Sequence, residues 1–399
     1  MKFESRRSGF IPRSLNDSHT VSHHSVLSNC YGVLAKAASA IERCLWLFWF
    51  CTIVTNLGLA HETPHVAADS YQPPSERLIV GEGEFRFQYL PGWGSEAAAK
   101  LSLGHCHAMV VDRSGCLYLA NTNPDYCIVV LDESGQLLDR WGDFAPQAHG
   151  LTLSLENGEE FLYITTNDKN GKVIKTNLGG DILMTISCPV ESGLYESADD
   201  FRPSKTIVLP GGELLVLDGY GRDYVLRFSA EGKYLSAFGG DLGDGEARLD
   251  HWGPHGGGLD LSDPQNPVLI LAMSDQQTLK RFTLGGKWID RIPLPGGNPR
   301  DIAFFDDHIV IPHLGDNWPE DRNAAGFISF LDRDFDVVAN LGGKNRRDDN
   351  GKLVGLQHNS HLFHHPHGIV FDERGNLYVA QFASNGTFPL KFERIVSDH

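Results

Sequence analysis

Apolar positions in this chain come in short runs, cut by turn residues roughly every eight to twelve positions, and that rhythm predicts many brief strands rather than long helices. The stretch GHCHAMVVDRSGCLYLANTNPDYCIVVLDESGQLLDRWG (104–142) shows the unit most fully. An apolar run is followed by an Asp/Gly turn and a second apolar run. A loop and a third strand come next, and the unit closes on a strand ending in Trp-Gly. The segments RPSKTIVLPGGELLVLDGYGRDYVLRFSAEGKYLSAFGG (202–240) and PHGIVFDERGNLYVAQFASNGTFPLKFERI (366–395) repeat the pattern. Weaker copies begin at Ala148, Pro254 and Pro299.

Six units therefore start near His107, His149, Ser204, His255, Arg300 and His367, at intervals of 42, 55, 51, 45 and 67 residues. Spacings of that size suit one four-stranded blade each, so the expected fold is an all-β, six-bladed β-propeller. The last unit holds only three strands before the C-terminus. The segment FRFQYLPGWG (85–94) resembles the closing strands GQLLDRWG and GKYLSAFGG. The N-terminal strand is thus expected to complete the sixth blade and remove the exposed sheet edges. The chain divides into an N-terminal extension with an apolar segment (1–60), a linker (61–76) and the propeller (77–399).

The run CLWLFWFCTIVTNLGLA (44–60) follows Lys36 and Arg43 and ends in small residues, which reads as an export signal. An uncleaved N-terminal anchor is the alternative. An exported protein, periplasmic or extracellular, is the expectation. Net charge is −17, and the first 60 residues carry six Lys/Arg against three Asp/Glu, leaving −20 on the rest. So acidic a body argues against binding nucleic acid, or an anionic membrane, through bulk charge. Cys106, Cys116, Cys127 and Cys188 match no zinc-ribbon or redox spacing. Cys116 and Cys127 flank one hairpin, where either a disulfide or buried thiols fit.

In a propeller the residue just before each innermost strand sits at the mouth of the central channel. Four of those six positions are histidine, in a chain with 18 histidines. His149, His255 and His367 fall on alternate blades, about 120° apart, and should converge on the axis. Three neutral imidazoles with one open position is the arrangement of a catalytic-type zinc site, and other divalent transition metals are equally compatible. Strand-capping histidines bonded to local carbonyls are the alternative. His107, Asn121, Asp218, Arg300 and His313 are placed as pocket residues. The cluster from Gln357 through His358 to His365 is read as a polar loop.

The strings AHGLTL (148–153), PHG (254–256), PHGIVFD (366–372) and VLDGYGRDYVLRFSAEGKYL (216–235) resemble peptidyl-α-hydroxyglycine α-amidating lyase and its bacterial NHL-repeat relatives. The resemblance spans roughly 85–395. It implies zinc on His149, His255 and His367, a catalytic Tyr220 in the Asp-Gly-Tyr turn, and a calcium held partly by the Leu151 carbonyl. Three positions depart from the family. Thr122 and Ser274 stand where the lyase has arginines, and Gly368 stands where it has a calcium-binding aspartate. These departures speak against calcium and bring the amidating reaction into question. A phenol of pKa about 10 needs a nearby cation to act as a base at neutral pH, which a metal or Arg300 would supply. Two functions follow: a metal-dependent lyase or hydrolase on a small or peptide-like ligand in the central channel, or a non-catalytic propeller that binds a protein, peptide or glycan.

The export reading predicts a mature chain beginning between Ala60 and Tyr71. N-terminal sequencing of protein from the native host checks this, and an intact Met1 contradicts it.

Overall fold

The computed structural model describes residues 71–396 apart from 251, 295–296, 316–324, 344–347, 350–361, 385 and 387. The apolar run 44–60, the first ten linker residues, His358 and His361 lie outside the described residues. Six antiparallel sheets make up the fold, one per blade. Blade one is Cys106–Val111, Leu117–Asn121, Ile128–Leu131 and Leu137–Trp141; blades two to five repeat this four-stranded order. The expected six-bladed β-propeller is what the chain forms.

Local chemistry explains the hairpins. The Asp112 carboxylate accepts from the amides of Ser114 and Cys116 at 2.9 and 2.8 Å, while Gly115 takes φ 85°. Asp372 repeats the device with Arg374 and Asn376, both at 2.9 Å, and Gly375 at φ 79°. A short carboxylate that mimics a backbone turn, followed by a residue free to adopt positive φ, reverses the chain in four residues. Blade five makes the same turn with Phe335 at φ 63°.

The middle strands, such as Leu117–Asn121 and Ile128–Leu131, bury both faces because blades stack on one another, while outer strands such as Leu137–Trp141 stay largely exposed. One apolar seam combines Ala108, Tyr118 and Ile128 of blade one with Leu151, Leu162 and Ile164 of blade two. Equivalent seams join blades two and three, three and four, and four and five. Phe305, Phe330 and Leu341 of blade five meet Phe87, Leu377 and Phe392 of blade six. Met109 and Leu117 of blade one meet Tyr378 and Ala380 of blade six, which closes the ring.

The closure uses the N-terminal strand. Phe87–Tyr89 pairs antiparallel with Leu390–Arg394, Phe87 opposite Arg394 and Tyr89 opposite Phe392. A further strand, Ile79–Val80, pairs outside it and gives blade six five strands. Residues 71–76 of the segment read as a linker are among the described residues. Tyr71 is buried, donates from its hydroxyl to the Leu362 carbonyl at 2.7 Å and stacks on His364. Cys106, Cys116, Cys127 and Cys188 are all free thiols. Among the described residues no helix is long and apolar enough to cross a membrane.

Phe87 is fully buried between blades five and six. Phe87→Ala should therefore cost about 3–5 kcal/mol, read as a lowered urea midpoint. A loss below about 1 kcal/mol would mean that the closing strand contributes little.

Candidate metal centre

The six inner positions meet as expected. His107, His149, Ser204, His255, Arg300 and His367 are all at most 5% exposed, and all line one small cavity on the axis. Its free space is about 10 Å³, room for a single ion or water. The rings of His149, His255 and His367 form a triangle with centroids 4.8–4.9 Å apart. His107 stands 4.6 Å from His149 and 4.8 Å from His367, so a second triangle shares their edge. The ligand nitrogens of His107, His149 and His367 lie within 4.8 Å of one another, a group able to hold a metal ion. The sequence placed His107 in the pocket; the structure brings it into the metal-capable cluster itself.

Backbone carbonyls orient the rings. Nδ1 of His149 lies 2.8 Å from the Ser204 oxygen, that of His255 2.7 Å from Arg300, and that of His367 2.8 Å from His107. Nδ1 of His107 is 3.2 Å from the Ala148 oxygen. A carbonyl only accepts, so each Nδ1 carries the proton and Nε2 is left with its lone pair in the neutral ring. Burial, aided by the Arg300 charge, holds His255 well below the ordinary imidazole range; burial and the neighbouring His107 do the same to His367. Neutral imidazoles with a backbone-fixed Nδ1–H are the form that binds metal. An all-imidazole donor set suits zinc, copper, iron or nickel.

Tyr220 reaches the cluster from blade three. Its hydroxyl is 3.1 Å from Nε2 of His149 and 2.8 Å from Nε2 of His255. Burial raises the phenol's pKa, and Arg300 and Arg202 oppose the rise. The turn that carries it is built by Asp218. That carboxylate accepts from the amides of Arg202 and Arg222 at 2.7 and 2.8 Å, and from the Tyr195 hydroxyl at 2.8 Å. Its bonds are to the turn, not to the histidines. Ser204 completes the wall, donating from its hydroxyl to the Pro254 carbonyl at 3.0 Å.

Three of the residues assigned to the pocket, Asp218, Asn121 and His313, do not line this cavity. The Asn121 side chain is taken up by its own blade, donating to the carbonyls of Tyr126 and Cys127 and accepting from the amides of Gly104 and Asn123. His313 is fully buried, stacks on Phe327, and has no hydrogen-bond partner for either ring nitrogen among the described residues. Burial pushes it down to about 3.

Two features escaped the sequence reading, and one pocket residue it named shows an unexpected setting. Phe382 stacks 5.5 Å from His107 and 5.9 Å from His367, and packs with Leu314, Ala383 and Trp252 over the cluster. The Lys205–Asp301 ion pair lines the cavity from blades three and five. Lys205 also borders a second cavity of about 790 Å³ between the inner strands of blades two to five. Both ion-pair residues directly follow inner positions, Ser204 and Arg300, so blade register was the signal that could have found them. Finally, Arg300 is buried without a hydrogen-bond partner for Nε among the described residues, and burial pushes its guanidinium down to about 10.

No protein-family model matches the sequence, and no curated protein matches it. Solved structures are similar in fold. A virginiamycin B lyase variant from Staphylococcus aureus, solved with quinupristin, is 14% identical, with 80% of this chain and all of that chain covered, at a TM-score of 0.48. A streptogramin B lyase is 15% identical over 73% of this chain and 94% of that one, TM-score 0.48. Kuenenia stuttgartiensis hydrazine synthase is 12% identical over 75% and 97%, TM-score 0.47.

The turn beside the site carries a pH dependence. Burial raises Asp218 to about 7, and burial together with the charges of Asp218 and Asp250 raises Asp223 to about 8. Both lie above the unfolded value of about 3.9, so the native state binds more protons between these limits. Stability is fully present below the unfolded value and is lost as pH rises through about 7–8. Asp223 sits at φ 60°, which asparagine tolerates, and its Oδ1 is buried with no hydrogen-bond partner among the described residues. Asp223→Asn should therefore match the wild type below about pH 4 and exceed it at pH 9 by about 1–3 kcal/mol, measured by urea unfolding. A gap that does not change with pH would contradict the assignment.

Proposed function

We propose that this protein is an exported, metal-dependent lyase or hydrolase similar to peptidyl-α-hydroxyglycine α-amidating lyase. His149, His255 and His367 would hold the ion, with the Tyr220 oxygen beside Nε2 of His149 and His255. The observation that carries this reading is the convergence of imidazoles whose Nδ1–H groups are committed to backbone carbonyls, with the Tyr220 oxygen within 3.1 Å of the Nε2 atoms of His149 and His255. A divalent ion, zinc first, would supply Lewis acidity to a hydroxyl or carbonyl oxygen of the ligand. Tyr220 is placed to hold or pass a proton at its hydroxyl oxygen. Arg300, whose Nε has no partner among the described residues, offers a buried positive charge to an anionic group of the ligand. It takes the part for which the lyase family uses arginines at the positions of Thr122 and Ser274.

One observation favours the second reading, a binding propeller pinned by its metal. The axial cavity holds an ion and little more, and Phe382 packs over it.

The purified mature protein should carry about one equivalent of zinc or a similar metal. His149→Ala and His367→Ala, common to both triangles of rings, should each lose most of it. Loss in His255→Ala with retention in His107→Ala is expected if His255 is the third ligand, and the reverse would assign that place to His107. Tyr220→Phe should keep the metal and lose turnover of α-hydroxyglycine peptides or simple esters. Less than about a tenth of an equivalent after zinc reconstitution would defeat the site. Metal without turnover on that panel would favour the binding propeller.

A further inference from the structure

The inner histidine is followed by glycine on three blades, as His149-Gly150, His255-Gly256 and His367-Gly368. Glycine is a costly choice inside a strand, because it packs nothing and loses the most backbone entropy on folding. None of the three is among the positive-φ residues, so the backbone there is open to any amino acid. What each glycine meets is a carbonyl of the next blade. A methyl group on Gly150 would stand 2.6 Å from the Ser204 oxygen. Methyl groups on Gly256 and Gly368 would stand closer still to the oxygens of Arg300 and His107. These are the three oxygens that take the Nδ1 protons of His149, His255 and His367.

His107 supplies the contrast inside the same ring. It is followed by Ala108, and its Nδ1 lies 3.2 Å from a carbonyl one residue earlier, that of Ala148, instead of 2.7–2.8 Å from the inner residue itself. A Cβ after the histidine thus goes with a longer bond to a different oxygen.

We propose that Gly150, Gly256 and Gly368 are positioning residues for the site. By leaving out a side chain, each lets the neighbouring blade's carbonyl approach the imidazole of the preceding histidine. That contact fixes the proton on Nδ1 and turns Nε2 toward the axis. The blade seam itself then acts as the orienting shell of the histidines. The consequence for metal affinity rests on the metal reading above; the consequence for the imidazole proton does not.

The test is Gly256→Ala in the full-length protein, with Gly150→Ala and Gly368→Ala beside it should that variant fail to fold. Imidazole ¹⁵N and ¹H NMR of the zinc-free protein reads the tautomer, and competition with a chelating dye reads zinc affinity. The expected result is loss of the hydrogen-bonded Nδ1–H signal of His255 and a fall in zinc affinity of about 10–100-fold. Gly258→Ala, two residues along the strand, meets the Phe304 ring instead of a histidine-orienting carbonyl. It should leave both readouts unchanged whatever it does to the melting temperature, and Ala108→Gly should leave zinc affinity within about twofold. Wild-type Nδ1–H signals in the folded glycine variants would overturn the proposal, as would equal effects from Gly258→Ala. A wild-type protein that binds no zinc would defeat the metal reading, while the NMR signals would still decide the role of the glycines.

Discussion

Ring closure is the constraint on which the rest depends. No blade has a complete core of its own, because each sheet hides its two faces only against the sheets on either side. The seam between blades six and one, with Met109 and Leu117 against Tyr378 and Ala380, is therefore the contact that turns a row of sheets into a closed body. The strand Phe87–Tyr89 serves the same end from the far side of the chain, covering the edge that Leu390–Arg394 would otherwise expose.

That closure also makes the site. The carbonyls that orient His149, His255 and His367 each belong to the next blade around the ring, so no histidine is positioned by its own sheet. Precision in the rings is inherited from precision in the seams. This differs from a site grafted on loops, where side chains hold one another. Here the backbone of a stiff, twisted sheet presses directly on the imidazole, and a rigid support is what a metal centre requires.

Charge is distributed around the axis in a telling way. Lys205 and Asp301, both half-buried, pair with each other at the wall of the cavity. Burial holds His255 and His367 well below the ordinary imidazole range. Arg300 is the exception, a buried guanidinium among imidazole rings and a phenol, and it biases the site toward anions. Asp218 and Asp223 lie in the turn that carries Tyr220, where burial raises both.

The fold was legible in the sequence because a propeller is a repeat. Alternating apolar runs and Asp/Gly turns recur once per blade, and position within the repeat gives position on the axis. That is how His149, His255, Arg300 and His367 could be placed in one ring from spacing alone, and why Phe87 could be paired with the last blade. What repeats do not encode is the direction of a side chain once its backbone position is known. Asn121 and His313 hold matching turn positions yet point into their own blades, where Asn121 finds four backbone partners and His313 an aromatic face. The closeness of His107 to the triad, the Phe382 roof and the Lys205–Asp301 pair arise between blades distant in sequence. Such contacts depend on how six twisted sheets tilt against one another, and only the closed ring decides that.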